Sequence, residues 1–164
     1  MAADTMEQTI TAWLATQKDA MLAELAEMVN TDGGSYDKPG VDRTGAQVKR
    51  FLEGQGIAVE VVPQEKHGDC LRGLVPGGHD FASGNQKKNI VLMGHRDTVF
   101  PKGEPERRPF RIENGIAYGP GVADMKAGIV MNMFVLAAFR KFGGAPGPLV
   151  GRANPSTPEA CTSS

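Results

Sequence analysis

The run "NIVLM" at residues 89–93 passes directly into "GHRD" at 94–97. A short, unbroken apolar run of this kind is the pattern of a strand buried on both faces, and layers packed on each side of a sheet provide that burial. The stretch "GIVMNMFVLAAF" at 128–139 adds a second constraint. Read as a helix it is apolar around most of its circumference, so it should pack deep against that sheet. It is too short to span a bilayer and contains Asn132. Together the two stretches predict an α/β layered domain.

The remaining chain supplies elements for such a domain. Met6, Ile10, Trp13, Leu14, Met21, Leu22, Leu25, Met28 and Val29 recur at helical spacing, as an amphipathic helix broken once, with Asp4 and Glu7 as its capping box. "TDGGSYDKPG" ends it, and a second helix is expected from about Val41 to Leu52. Strands are expected at 57–62 and from Cys70 to Val75, and Asn114-Gly115 marks a tight hairpin. "PGVADMKAG" reads as a Gly-rich loop feeding a helix over Lys126 to Phe142, and "PLV" at 148–150 begins another strand. From Gly151 the composition shifts to Pro, Ser and Thr without apolar periodicity. A domain over 1–150 with an irregular tail over 151–164 is therefore expected.

With 18 Lys+Arg against 19 Asp+Glu and a net charge of -1, nothing draws the chain to nucleic acid or to an anionic membrane. Lys102, Arg107, Arg108 and Arg111 are interrupted by Glu104 and Glu106 and read as a solvated loop. Cys70 and Cys161 form no CxxC pattern, which argues against a disulfide framework or a zinc knuckle. The first residues lack an unbroken apolar core, so no signal peptide is read there. A soluble, reducing, cytoplasmic setting is the expectation.

Side chains two apart on extended chain face the same way, so His95 and Asp97 share one space at the end of a predicted strand. An imidazole can hold a metal through one nitrogen while a carboxylate takes the other N–H and fixes the ring. The same pair also reads as a histidine satisfied by a local acid, without metal. Asp124 follows 29 positions after His95 in the glycine-rich loop. Its two oxygens are able to bridge two metal ions, yet an N-cap role suits an aspartate before a helix equally. Lys126 reads as an exposed first-turn residue or as a loop anchor paired with a carboxylate. His67, with Asp69 and Cys70 nearby, fits a solvated turn better than a second ligand cluster, and His79 reads as a loop residue.

Taken together, "GHRDTV" and "GPGVADMKAG", with "GGSYDKPGVDR" after the first helix and the "RPFRIENGIAYGPG" hairpin between them, resemble the zinc peptidases and deacylases that include glutamate carboxypeptidase, acetylornithine deacetylase and succinyl-diaminopimelate desuccinylase. The resemblance extends up to about Val150, and "GHRDTVFPKG" with "RPFRIENG" leans to the glutamate carboxypeptidase branch. It implies an incomplete three-layer α/β/α catalytic domain with a mixed sheet, and a pair of zinc ions. His95 and Asp124 would be metal ligands, Asp124 bridging, and Asp97 a catalytic-site residue that orients His95. The implied reaction is cleavage of an amide bond in a small peptide or N-acyl amino acid, with C-terminal glutamate as a product. Relatives of this kind are often homodimeric through a smaller domain that has no counterpart here.

The resemblance also implies an Asp-Glu-Glu-type motif after the strand begun by "PLV", and a later acid and histidine. The chain instead reads "GRANPSTPEACTSS", where Glu159 is the single acid. The expectation is a truncated or frame-shifted form with little or no hydrolase activity. From another class, the chain reads as a non-catalytic folding or interaction module. A serine or cysteine hydrolase is disfavoured, since there is no Gly-x-Ser-x-Gly elbow.

Overall fold

The computed structural model describes residues 5–77, 89–145 and 147–156. The N-terminal helical pattern resolves into α1 (Met6–Ala15) and α2 (Lys18–Val29), interrupted at Thr16 and Gln17. The box that starts α1 is Thr5 with Gln8: the Gln8 side chain accepts from Thr5 N at 2.8 Å and Gln8 N donates to the Thr5 hydroxyl at 3.3 Å. That replaces the expected Asp4–Glu7 box, of which Asp4 lies outside the described residues. α3 (Lys38–Gly54) begins earlier than expected, with Pro39 in its first turn, where a missing N–H is harmless.

β1 (Val59–Val62), β2 (Cys70–Val75), β3 (Ile90–His95) and β6 (Leu149–Asn154) form one sheet in the order β1-β2-β6-β3. β6 pairs antiparallel with β2 and parallel with β3, so the sheet is mixed, as expected. Between β3 and β6 lie a short helix α4 (Glu104–Arg107), the hairpin β4 (Arg111–Glu113) and β5 (Ile116–Tyr118), and the long helix α5 (Ala127–Lys141). Asn114 and Gly115 both take positive φ, 52° and 78°, which the twist of a two-residue hairpin turn demands.

α3 and α5 lie on the same face of the sheet. A Cβ on Gly73 of β2 would stand 3.3 Å from Leu52 of α3, and one on Gly151 of β6 would stand 2.4 Å from Leu136 of α5. Gly73 and Gly151 are register partners, so the missing side chains let both helices approach one stripe of the sheet. Leu52, Leu71, Val75, Ile129, Met133, Phe134, Leu136 and Leu149 fill this interface. α5 with the kinked turn before it spans 20 residues, Val122–Lys141, apolar and long enough to cross a membrane on those two criteria alone. In this fold it is the central core helix, with Ile129, Val130, Met133, Phe134, Leu136, Ala137 and Ala138 buried.

Several expectations fail here for identifiable reasons. β3 is not buried on both faces: Val91 and Met93 are 47% and 65% exposed, because the described helices cover the opposite face. The irregular chain expected from Gly151 begins later, since β6 continues to Asn154. Leu136 of α5 presses on Gly151, which leaves no room for a side chain there, and the lack of apolar bulk hid the strand. The Lys102–Arg111 segment is not simply solvated: Glu104 is buried and accepts from Arg107 and Arg108. Cys70, buried at the start of β2, is not a free thiol. His79, Glu159 and Cys161 lie outside the described residues.

Candidate metal centre

β3 ends at His95, beside Asn154 at the end of β6, and the chain leaves the sheet through Arg96, Asp97 and Thr98. Thr98 is stitched to the turn after α2: its N–H donates to Gly33 O at 2.8 Å and its carbonyl accepts from Ser35 N at 3.0 Å. These bonds wall one side of a cleft of about 260 Å³ lined by Ser35, His95, Asp97, Val99, Gly121 and Asp124.

Asp124 reaches this cleft from a π-helical turn, Val122–Lys126, in which Asp124 and Met125 leave helical backbone angles. It is not the N-cap of α5; that position belongs to Lys126. Its carboxylate is 89% exposed and stands 2.9 Å from His95 Nε2. The other ring nitrogen, Nδ1, lies 3.0 Å from the backbone oxygen of Asp97 and 3.5 Å from its carboxylate. His95, Asp97 and Asp124 therefore converge. The oxygen that holds the ring most closely is nevertheless a backbone carbonyl, and sequence alternation does not reveal it.

Both ring nitrogens thus face oxygen acceptors, and a neutral imidazole has one N–H. With the hydrogen on Nδ1, the Nε2 lone pair meets a carboxylate, and that contact is attractive only with a cation between them. A proton or a divalent metal ion meets the requirement. Nitrogen and oxygen donors bound to one tetrahedral zinc stand roughly 3.4 Å apart. The observed 2.9 Å separation would have to widen by a few tenths of an ångström. His95 and Asp124 thus fit a metal in donor type, and in spacing once that widening has taken place. They form a pair only: among the described residues no group of three or more His, Cys, Asp or Glu is placed to hold a metal ion.

Asp97 is 1% exposed. Burial pushes its carboxyl up, but the Ser156 hydroxyl, the Ser35 hydroxyl and the Ser156 N–H together hold it below the usual carboxylate value. Ser156 N donates to Oδ1 at 2.7 Å and its hydroxyl to Oδ2. Ser35 lies within "GGSYDKPGVDR" without being singled out there, and Ser156, two residues beyond a strand, carries no local signal.

Two charged residues beside the site are buried. Arg96, between His95 and Asp97, has no exposed surface, and its guanidinium donates to the carbonyls of Ala153 and Asp69. Burial lowers its pKa to about 10, against the pull of Asp42, Asp69 and Asp97. Alternation already aims Arg96 away from the side shared by His95 and Asp97. Lys126, expected to be exposed or paired with an acid, is 1% exposed and donates to the carbonyls of Met28 at 2.8 Å and Thr31 at 3.0 Å. Burial lowers its pKa to about 8, with Asp32 opposing the fall. Asp69 is engaged by Lys38 and forms no ligand cluster with His67.

Residues 91–155 match the family described as Peptidase family M20/M25/M40. Carboxypeptidase G2 of Pseudomonas sp. (strain RS-16) is 33% identical over 129 residues, which are 77% of this chain and 29% of that protein. Human carnosine dipeptidase 1 superposes with a TM-score of 0.74 at 18% identity, over 98% of this chain and 36% of that one. The M20 family metallo-carboxypeptidase Sso-CP2 of Sulfolobus solfataricus gives 0.64 at 17% identity, over 81% of this chain and 30% of the other. The chain therefore spans about a third of the length of these relatives. Residues 91–155 are thus similar in sequence to peptidase family M20/M25/M40, and over most of its length the chain shares the fold of these solved structures.

Proposed function

We propose that this chain carries part of the metal centre of a zinc-dependent carboxypeptidase or amidohydrolase acting on small peptides or N-acyl amino acids. The observation that carries the reading is the 2.9 Å approach of His95 Nε2 to Asp124, residues 29 apart in sequence, with Asp97 behind the ring. His95 and Asp124 would hold the metal, and Asp124 is the residue suited to bridge two ions. When bound, such an ion lowers the pKa of a bound water to about 7 and polarises a carbonyl. The chain's own residues supply orientation: the Asp97 backbone oxygen and carboxylate keep the hydrogen on Nδ1, and Ser35 and Ser156 keep that carboxylate ionised. The likeness to Carboxypeptidase G2 supports carboxypeptidase action, and the resemblance of "GHRDTVFPKG" and "RPFRIENG" to the glutamate carboxypeptidase branch supports release of C-terminal glutamate.

A pair of protein donors is short of the three or four that a zinc site ordinarily uses, so metal binding by this chain should be weak. Among the described residues no carboxylate other than Asp97 and Asp124 lines the cleft to act as general base, a role worth about 10²–10⁴ in rate. The 164-residue chain alone is therefore expected to hydrolyse N-acyl glutamate negligibly. Zinc titration of wild type, His95→Ala and Asp124→Ala tests the centre: both substitutions should abolish the residual binding, and unchanged binding would end the proposal. A second reading, that the chain serves as a non-catalytic interaction module, draws on the exposed Val91 and Met93 face of β3. Robust zinc-dependent release of glutamate by the purified chain would dismiss it.

A further inference from the structure

We propose that Lys126 is a positioning residue for the metal centre, a strap that ties the turn carrying Asp124 to the C-terminal end of α2. The inference rests on the reading of His95 and Asp124 as metal ligands and adds what holds one of them in place.

Asp124 has little of its own to fix it. Its side chain is 89% exposed, and its one described side-chain contact is with His95. Its backbone, with that of Met125, leaves helical angles, so the regular ladder of α5 starts only beyond it. Lys126 follows two residues later with the opposite character. Its ammonium is buried and reaches across the chain to the Met28 and Thr31 carbonyls, 98 and 95 positions earlier. Those carbonyls close α2, where the helix dipole is negative and a cation is favoured. The Lys126 N–H meanwhile donates to Gly121 O at 2.9 Å and closes the turn from within.

The path of the side chain locks the turn sideways as well. A Cβ on Gly121 would stand 3.3 Å from the Lys126 Cδ and 2.5 Å from Thr98 Cγ2. The lysine methylenes therefore run beneath Gly121, which itself packs on Thr98 next to Asp97. The same end of α2 also anchors the chain between the two ligands: Asn30 accepts from Phe110 N at 2.8 Å and Asp32 from Gly103 N at 3.0 Å. One helix terminus thus sets the distance between the strand bearing His95 and the turn bearing Asp124. A carboxylate displaced by even an ångström no longer shares an ion with the imidazole, since ligand distances tolerate only a few tenths.

The experiment uses the 164-residue chain and zinc sulfate as the probe. Lys126→Met keeps the length of the methylene stem and removes the donor. Zinc binding should weaken at least tenfold at a temperature where the variant remains folded, and the His95 Nε2 signal in a ¹⁵N imidazole spectrum should shift to that of Asp124→Asn. Wild-type zinc affinity together with a wild-type His95 signal would overturn the proposal, even with a lowered Tm. Should Lys126→Met fail to fold, hydrogen exchange of the wild type decides. Zinc should slow the amides of residues 28–32 along with those of 121–127, and no slowing at 28–32 would refute the strap. His95→Ala and Asp124→Ala separate the two levels, because full zinc binding by these would defeat the metal centre itself, whatever Lys126 does.

Discussion

Replacing Asp97 with Asn asks how much of the centre's order comes from a charge. The carboxylate is 1% exposed and takes two hydrogen bonds from Ser156. In Asp97→Asn the amide oxygen keeps the Ser156 N–H and the amide nitrogen donates to the hydroxyl, so no polar atom is orphaned. The charge assistance is what is lost. Two bonds worth about 1.5–3 kcal/mol each fall to about 0.5–1.5, for a destabilisation of about 2 kcal/mol at neutral pH. At His95 the effect is smaller than removal of an orienting carboxylate suggests. The nearer acceptor for Nδ1 is the Asp97 backbone oxygen at 3.0 Å, which survives the substitution, while the carboxylate stands at 3.5 Å. Loss of an outer partner ordinarily lowers metal affinity about 10–100-fold, so about tenfold is expected here. Urea unfolding and zinc titration of both proteins measure the two terms. The sign with pH is also fixed. Because the folded carboxyl lies below the usual 3.8, its stabilisation is complete above that value and disappears as pH falls through the folded one. Wild type and variant should converge in stability in acid. A hundredfold loss of zinc binding would show that the carboxylate, not the backbone oxygen, orients the ring. Equal stability at neutral pH would refute the charge-assisted account.

Lys126 titrates in the opposite direction. Its amine is held at about 8 in the fold and 10.5 outside it, so the unfolded chain binds more protons between those values and stability climbs with pH. The rise approaches about 3 kcal/mol at 1.36 kcal/mol per pH unit. Urea midpoints across this range should rise in wild type relative to Lys126→Met, and a constant difference would contradict the burial. Gly151→Ala places a methyl 2.4 Å from Leu136 Cδ1, which must shift to admit it, and should lower stability by about 1 kcal/mol, read as a fall in Tm. Met93→Lys should reduce any self-association read by light scattering, since among the described strands β3 ends the sheet order and Met93 is 65% exposed on it. Unchanged scattering would place any association elsewhere.

Local features were the legible ones. The Cys70–Val75 strand and the Asn114-Gly115 hairpin follow from apolar runs and turn chemistry, and the structure has them where the residues put them. Alternation brought His95 and Asp97 to one side, and the same rule applied to Arg96 would have turned its guanidinium inward. Lys126 was beyond any local rule, because the carbonyls that bury it lie almost a hundred residues earlier. The exposure of Val91 and Met93 shows another limit. A sequence records the environment a strand suits, and these two side chains meet solvent on the face that the described helices leave open. Ser156 escaped notice because its value lies wholly in where Asp97 happens to be.

The order β1-β2-β6-β3 also governs timing. Among the described strands β3 pairs with β6 alone, and β6 begins at Leu149, more than fifty residues after the end of β3. As the chain emerges during synthesis, β1 and β2 can form a hairpin at once, while the strand carrying His95 has no neighbour to register against. Only when Leu149–Asn154 inserts between β2 and β3 does the imidazole acquire a fixed position. Of the four described strands of this sheet, the last to be made is therefore the one that sets the first ligand in place.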